Sequence, residues 1–382
     1  MPTYFKNFNS LRFYAFLSVF IGHVFTGFHL NRSWAIWFSN HFDLAYYGVI
    51  FFFVLSGFLI TSILLKQKKD FDNINIKNFY IKRIRRIWPI YFIVLIVGFF
   101  SVPCIIFIAD RLGLNLNSLS GNNFNAIPWF LFFVGNLYIS YFGFFTPIIG
   151  VLWSVAIEEQ FYILWPWFVK YINNAILVVG FLSASFLFSI WFRYFNYGTL
   201  SEHLHTLACL GSLGVGCLGA YLTFYNQKIL NFFINFKKTY SFIIYFLTTI
   251  LFIGICLKKE LHLDNALGMS SIYAFLTILF VIFILEQGLA TKPLISFGKN
   301  KITEYLGKIS YGLYAYHMVA FTIIITLMKI AHIIIGEDVL LYISSITLVF
   351  IITVIISHLS YKYIELPIMT KNRLLSKNKL LL

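Results

Sequence analysis

The chain has 382 residues, of which 60% are hydrophobic, 20% aromatic and only 11% charged, and its 29 Lys and Arg outnumber 14 Asp and Glu for a formal net charge of +15. A mean hydropathy of +0.82 leaves too few polar side chains to coat a soluble surface, which excludes a soluble globular domain and implies a polytopic membrane protein. The basic excess does not indicate nucleic-acid binding, because the Lys and Arg fall in short segments between apolar runs, where they set membrane orientation.

Ten apolar runs reach the roughly 20 residues that a spanning helix needs: 11–29, 44–65, 87–109, 150–170, 175–192, 204–224, 239–257, 268–288, 309–333 and 339–361. The expected fold class is therefore all-α, a polytopic bundle with a single transmembrane domain over 1–370 and a short basic tail over 371–382. The first run has no small-residue cleavage site and is read as a retained helix. With the N-terminus placed in the cytoplasm, 22 basic residues fall in inside segments and 5 outside, while Arg12 and Lys329 lie within helices. This asymmetry predicts ten spans with both termini cytoplasmic. A further stretch, 127–140, is too short to span and is expected to be interfacial or re-entrant, with Asn136 in a polar lining. The tail from Tyr363 fits anchoring to anionic headgroups of membrane lipids, and no soluble domain is expected after the last helix. Cys104, Cys209, Cys217 and Cys256 lack CxxC spacing and read as small core residues, indicating neither a disulfide framework nor a metal site.

Several motifs carry chemistry. In LRFYAFLSVFIGHV (11–24), Arg12 and His23 are eleven residues apart, which brings them to nearly one helix face about 16 Å apart. An ionisable group inside a span costs about 2.5–3.5 kcal/mol on insertion scales and marks function by default, so His23 is the leading catalytic candidate. The plainer alternative is a histidine hydrogen-bonded to a neighbouring helix. In FFFVLSGFLIT (51–61), Ser56 and Gly57 interrupt an aromatic run, either for close helix packing or as a narrow passage for an acyl chain or pantetheine arm.

The inner segment 66–86 closes on YIKRIRRIWPIYF (80–92). There Arg83 and Arg86 share one side of a helical turn, and their guanidinium forks suit phosphate oxygens; positive-inside anchoring also accounts for the charge. The sequence LWSVAIEEQFYILWPW (152–167) sets Glu158 and Glu159 roughly 100° apart on one apolar helix, so at least one must line a cavity. Such a carboxyl group beside His23 would orient its ring or share its proton. In KISYGLYAYHM (308–318), Ser310, Tyr314 and His317 form one stripe, as a polar path or as interhelical hydrogen bonds. Glu365 in YIELP is expected to pair with a nearby Lys or Arg. His203 and His205, beside Glu202, lack a fourth partner for a metal.

Taken together these stretches resemble the membrane acyltransferase-3 family, which includes bacterial O-antigen, exopolysaccharide and peptidoglycan O-acetylases. Arg12 with ten residues before His23, FFVLSGF, RxxRxxP from Arg83 to Pro89, WSVAIEEQFY, SYGLYAYH and ELP occur here in the family's order, from Leu11 to Pro367. The resemblance implies transfer of an acyl group, usually acetyl, from cytoplasmic acyl-CoA (acetyl-CoA) to a carbohydrate hydroxyl across a bacterial inner membrane, the acceptor being O-antigen, exopolysaccharide, peptidoglycan or a glycolipid. It further implies that His23 is catalytic, that Arg12 supports the site, that Arg83 and Arg86 belong to the CoA side, and that Glu158 or Glu159, with Glu158 preferred, is the family's acid. Some relatives carry a C-terminal extracytoplasmic hydrolase-like domain, and this chain is expected to act as a single module without it.

The expected mechanism has neutral His23 take the acceptor proton as the hydroxyl attacks the thioester, with Glu158 holding the ring and Ser56 or a tyrosine, rather than distant Arg12, donating to the developing oxyanion. A two-step route through an acylated His23 is the other possibility. The competing class is a secondary transporter or glycolipid flippase, which would use a buried His and Glu for proton coupling.

Overall fold

The structure is a computed structural model and describes residue 5 and residues 7–28, 30–41, 43–111, 123–331 and 333–370; the basic tail expected over 371–382 lies outside the described residues. Ten helices among them are long and apolar enough to cross a membrane: α1 (Phe8–Gly27), α2 (Leu44–Phe71), α3 (Ile76–Ser101), α4 (Pro147–Tyr171), α5 (Ala175–Phe195), α6 (Leu200–Tyr225), α7 (Lys238–Cys256), α8 (Ala266–Leu289), α9 (Ser310–Ile330) and α10 (Val339–Thr370). All ten runs expected from hydropathy are present.

Helix starts follow side-chain capping. Asp43 accepts from Tyr46 N, Asn75 from Asn78 N, Asn174 from Ile176 N, Asn265 from Gly268 N and Asp338 from Leu341 N, each satisfying an orphan donor of the first turn. α10 runs on to Thr370, through the start of the tail expected from Tyr363, and the inner segment departs further from expectation. α2 continues through Lys66–Lys69 to Phe71 and α3 begins at Ile76, so the expected long inner segment shrinks to residues 72–75. Lys and Arg are good helix formers, so a charge run that ends an apolar stretch need not end the helix. Arg83 and Arg86 thus sit inside α3, seven and ten residues beyond its start.

α2, α4 and α6 form the interior, whereas α5, α7 and α10 turn most of their surface outward, as a helix with lipid on one side requires. α2 and α6 approach each other closely. A Cβ on Gly57 would lie 2.1 Å from the Leu213 carbonyl oxygen, and one on Gly216 2.0 Å from that of Val54. Only glycine lets these backbones touch. Gly57 therefore serves packing, and its neighbour Ser56 is free to face another way.

Contacts between distant segments define the two bundle ends. At the basic end, Asn7 donates to Gln287 O and Oε1 (both 2.9 Å), Ser10 meets Thr303 (3.0 Å), and Lys68 reaches the last carbonyls of α4. At the opposite end, Asn31 N donates to Gly336 O (2.8 Å) and Tyr342 donates to Phe25 O (2.7 Å). The stretch 127–140 crosses neither way. It forms two short helices, Ile127–Leu131 and Gly135–Phe142, and buries Asn136, which donates to Leu204 O (3.1 Å) and Thr206 Oγ1 (3.0 Å) and accepts from Gln160 Nε2 (2.8 Å). The expected polar lining is there.

Candidate active site

Four helices and the start of a fifth surround a cavity of about 180 Å³ toward the basic end. α2 faces it with a stripe at helical spacing, Val49, Phe52, Phe53, Ser56, Ile60 and Ile63. α4 faces it with Ser154, Glu158 and Tyr162, each four residues after the last. Arg12 enters from α1, Arg83 and Arg86 from α3, and Ser310, Tyr311 and Tyr314 from α9. Of the candidates named from sequence, Arg12, Ser56, Arg83, Arg86, Glu158 and Tyr314 are thus brought together in one chamber.

Its electrostatics are lopsided. Three guanidinium groups share the lining with one carboxylate. Glu158 faces the hydroxyls of Ser56 and Tyr162 and lies in the field of Arg83 and Arg86. Arg83 stacks on Phe79 and Tyr162, with its carbon 5.5 Å and 5.7 Å from the ring centroids, and its buried Nε has no hydrogen-bond partner. Arg12 donates to Asn9 Oδ1 (3.1 Å), and Ser56 and Tyr162 hydroxyls are 2.6 Å apart. An unpartnered buried donor among excess cations fits an anion, because burying such groups unmatched is costly.

Glu159 is separate. Its carboxyl group is buried away from the cavity, where Trp88 Nε1 donates to Oε2 (3.3 Å) and Oε1 has no partner. The adjacent acids, about 100° apart on the helix, accordingly serve different surroundings. Tyr162 and Ser154 are site residues that sequence reasoning missed, although both lie in the quoted motif; their spacing of four from Glu158 was the available signal.

His23 lies outside the cavity lining. Its Nδ1 is 2.9 Å from Nε2 of His317, and Nδ1 of His317 is 2.6 Å from the Tyr314 carbonyl oxygen. The Tyr314 hydroxyl lies in the cavity wall, 2.7 Å from Ser154 Oγ and 3.0 Å from Val151 O. One residue of α9 therefore touches both the chamber and the histidine pair. His317 is fully buried, whereas His23 keeps some accessible surface deep in the bundle. This arrangement corrects one expectation: the neighbour of the His23 ring is His317, while Glu158 belongs to the arginine chamber. Arg12 likewise joins Arg83 and Arg86 rather than the histidine, as eleven residues of straight helix require.

Three other expectations resolve locally. Glu365 is buried in the π-helical turn Tyr361–Glu365 of α10 and has an unpartnered Oε1; among the described residues no ion pair joins it to Lys or Arg, although Arg86 acts on it electrostatically. His205 caps the helix that begins at Thr206, accepting from Leu207 N (3.2 Å). His203 accepts from Arg193 (3.3 Å), which is not in an outer loop as the charge count assumed but buried in α5, 3.8 Å from Glu202 and stacked 4.1 Å above the Tyr273 ring.

Ten helices long and apolar enough to span a membrane among the described residues, five of which line a polar chamber, define a multi-pass membrane protein with an internal site. The chain belongs to the acyltransferase-3 family, whose acyltransferase domain matches residues 5–362. It is 28% identical to the peptidoglycan O-acetyltransferase OatA of Listeria monocytogenes over 364 residues, 89% of this chain and 53% of that protein. It is 36% identical over 169 residues to the putative peptidoglycan O-acetyltransferase YrhL of Bacillus subtilis, 43% of this chain and 24% of that one. A putative O-acetyltransferase of Staphylococcus aureus is 27% identical over 386 residues, 95% and 57% of the two chains. The chain spans about half the length of these relatives where it matches them throughout. No solved structure matches it.

Proposed function

We propose that this protein moves an acyl group, acetyl in the simplest case, from acyl-CoA to a hydroxyl of a cell-surface or lipid-linked carbohydrate. Family membership and the names of its relatives support the reaction class, and two relatives named as acting on peptidoglycan make a peptidoglycan sugar the first acceptor to try. The observation that carries the donor assignment is the chamber itself: three arginines against one lining carboxylate, with a buried Nε left open. Phosphate groups of CoA are the natural match, since guanidinium forks bind phosphate oxygens in pairs. Arg12, Arg83 and Arg86 would hold them, and the cavity beside the hydrogen-bonded Ser56 and Tyr162 hydroxyls would take the thin pantetheine arm.

The basic end then faces the cytoplasm of a bacterial cell, where acyl-CoA is made, and both termini lie on that side. His23 serves as general base for the acceptor hydroxyl, approached from the opposite end of the bundle, a role worth about 10²–10⁴-fold. The Ser56, Tyr162 or Tyr314 hydroxyl stabilises the charge that develops on the thioester oxygen.

The test is acyl transfer by the purified full chain in vesicles supplied with labelled acetyl-CoA and a peptidoglycan fragment or extracted surface glycan. The expected result is label on the glycan with release of free CoA, lost in His23→Ala at unchanged protein level. Ion-gradient-dependent uptake of a solute without acyl transfer would overturn the proposal in favour of a transporter.

A further inference from the structure

The two histidines can be assigned proton by proton. A backbone carbonyl only accepts, so the 2.6 Å contact between His317 Nδ1 and Tyr314 O requires the proton on Nδ1 of His317. In the neutral ring that leaves Nε2 of His317 as an acceptor, and the group 2.9 Å away, Nδ1 of His23, must then be the donor. The ring planes are 5° apart with centroids 5.2 Å apart, so the rings meet edge to edge with N–H and lone pair in a common plane. His317 is itself held: its side chain is fully buried against Phe16 and Phe20, whose ring centroids lie 6.1 Å and 6.5 Å away.

We infer that His317 is a positioning residue that locks His23 as the Nδ1–H tautomer and so makes Nε2 of His23 the atom that handles the acceptor proton. This rests on the acyl-transfer reading for its consequence, though not for its geometry. In the reaction the acceptor O–H bond breaks, its proton goes to Nε2 of His23, and the new ester C–O bond forms as the C–S bond of the thioester breaks. The proton then passes from Nε2 to the leaving thiolate, giving ester and free thiol. Throughout, His23 keeps Nδ1–H on His317, whose lone pair stabilises the transient imidazolium. Tyr314 O sets the tautomer of the first ring, which sets that of the second, a relay of orientation.

The experiment uses the full chain, labelled with ¹⁵N-histidine and reconstituted in vesicles, with the His23 resonances identified by their loss in His23→Gln. Nitrogen chemical shifts are expected to show a protonated Nδ1 and an unprotonated Nε2 for His23, and this pattern is expected to disappear in His317→Phe. In turnover, His317→Ala is expected to lower kcat by about 10–100-fold with KM for acetyl-CoA within twofold, the range seen when an orienting partner is removed. His317→Gln, whose amide oxygen can accept from Nδ1–H, should recover roughly tenfold of that loss; a merely structural role would not distinguish the two variants. A wild-type His23 protonated on Nε2 overturns the inference outright, as does equal turnover of His317→Ala and wild type. If the wild-type spectrum is as expected but no acyl transfer occurs, the tautomer assignment stands and the function proposed above fails.

Discussion

Replacing Arg83 by Met tests the donor chamber most directly. Arg83 stacks on Phe79 and Tyr162 and has no ion pair among the described residues, and its buried Nε is unpartnered. Methionine keeps much of the apolar stem that packs on these rings, so the change removes mainly charge and donors. A hydrogen bond to a charged partner contributes about 1.5–3 kcal/mol, and 1.4 kcal/mol is tenfold in affinity. One lost phosphate contact should therefore weaken CoA binding by about 10–150-fold. Arg83→Lys keeps the charge but not the planar fork, and should fall between wild type and Arg83→Met. The assay is calorimetric titration of CoA into the purified protein in detergent, with the dephosphorylated pantetheine thioester as control, whose weak binding should be the same in all three proteins. If Arg83→Met binds CoA as wild type does, or if the control weakens equally, the chamber is not the phosphate site.

The paired acids should separate cleanly. Glu158→Gln removes the one carboxylate lining the chamber and should tighten CoA binding by about tenfold, near 1.4 kcal/mol, while slowing turnover, whereas Glu159→Gln should leave the same titration within twofold. Gly57→Ala forces a methyl group toward a backbone oxygen 2.1 Å away and should lower stability by at least the 1–3 kcal/mol of ordinary overpacking, read as a drop in the thermal unfolding midpoint. Ser56→Ala, next to it but facing the chamber, should leave that midpoint within about a degree or two and act on turnover instead, a split that fails if both variants unfold early. Glu202→Gln leaves the buried Arg193 without its carboxylate and should cost about 3–5 kcal/mol of stability with no change in CoA affinity, checked by thermal unfolding beside the same titration.

The bundle was legible because ten apolar runs of spanning length are a global signal that no local detail reverses. Boundaries were less so. Lys66 to Arg86 looked like a loop because its residues are polar, yet polarity decides where the membrane ends and not where the helix ends, so α2 and α3 continue through most of it. The chamber was half legible: Arg12, Ser56, Arg83, Arg86, Glu158 and Tyr314 are residues whose charge or hydroxyl is out of place in an apolar helix. Tyr162 and Ser154 were missed because a tyrosine or serine is unremarked in such a helix until its neighbour at i±4 is known to face a cavity. Placing Glu158 beside His23 failed for another reason. Both are titratable groups inside apolar helices, but sequence gives no depth comparison between helices, and the partner of His23 came from α9. Arg193 was counted with the outer loops because it lies near the end of its run; the stacking rings of Tyr46 and Tyr273 that bury it come from α2 and α8.

The separation between arginines and histidine is itself an argument about mechanism. A cation within a span costs about 2.5–3.5 kcal/mol on insertion scales, so three in one chamber are a standing penalty unless something anionic offsets them. Glu158 offsets one, and Glu159 and Glu365 each leave a carboxylate oxygen unpartnered outside the lining. Were the arginines there only to anchor the bundle, they would gain more by reaching the headgroups than by converging on Ser56 and Tyr162. The eleven residues from Arg12 to His23 set a distance of about 16 Å along α1, long enough that one compact substrate cannot touch both. On the donor reading proposed above, an extended thioester held by its phosphates at the arginines and reaching inward with a thin arm would do so past Tyr314, whose hydroxyl lies in the chamber wall and whose carbonyl contacts His317.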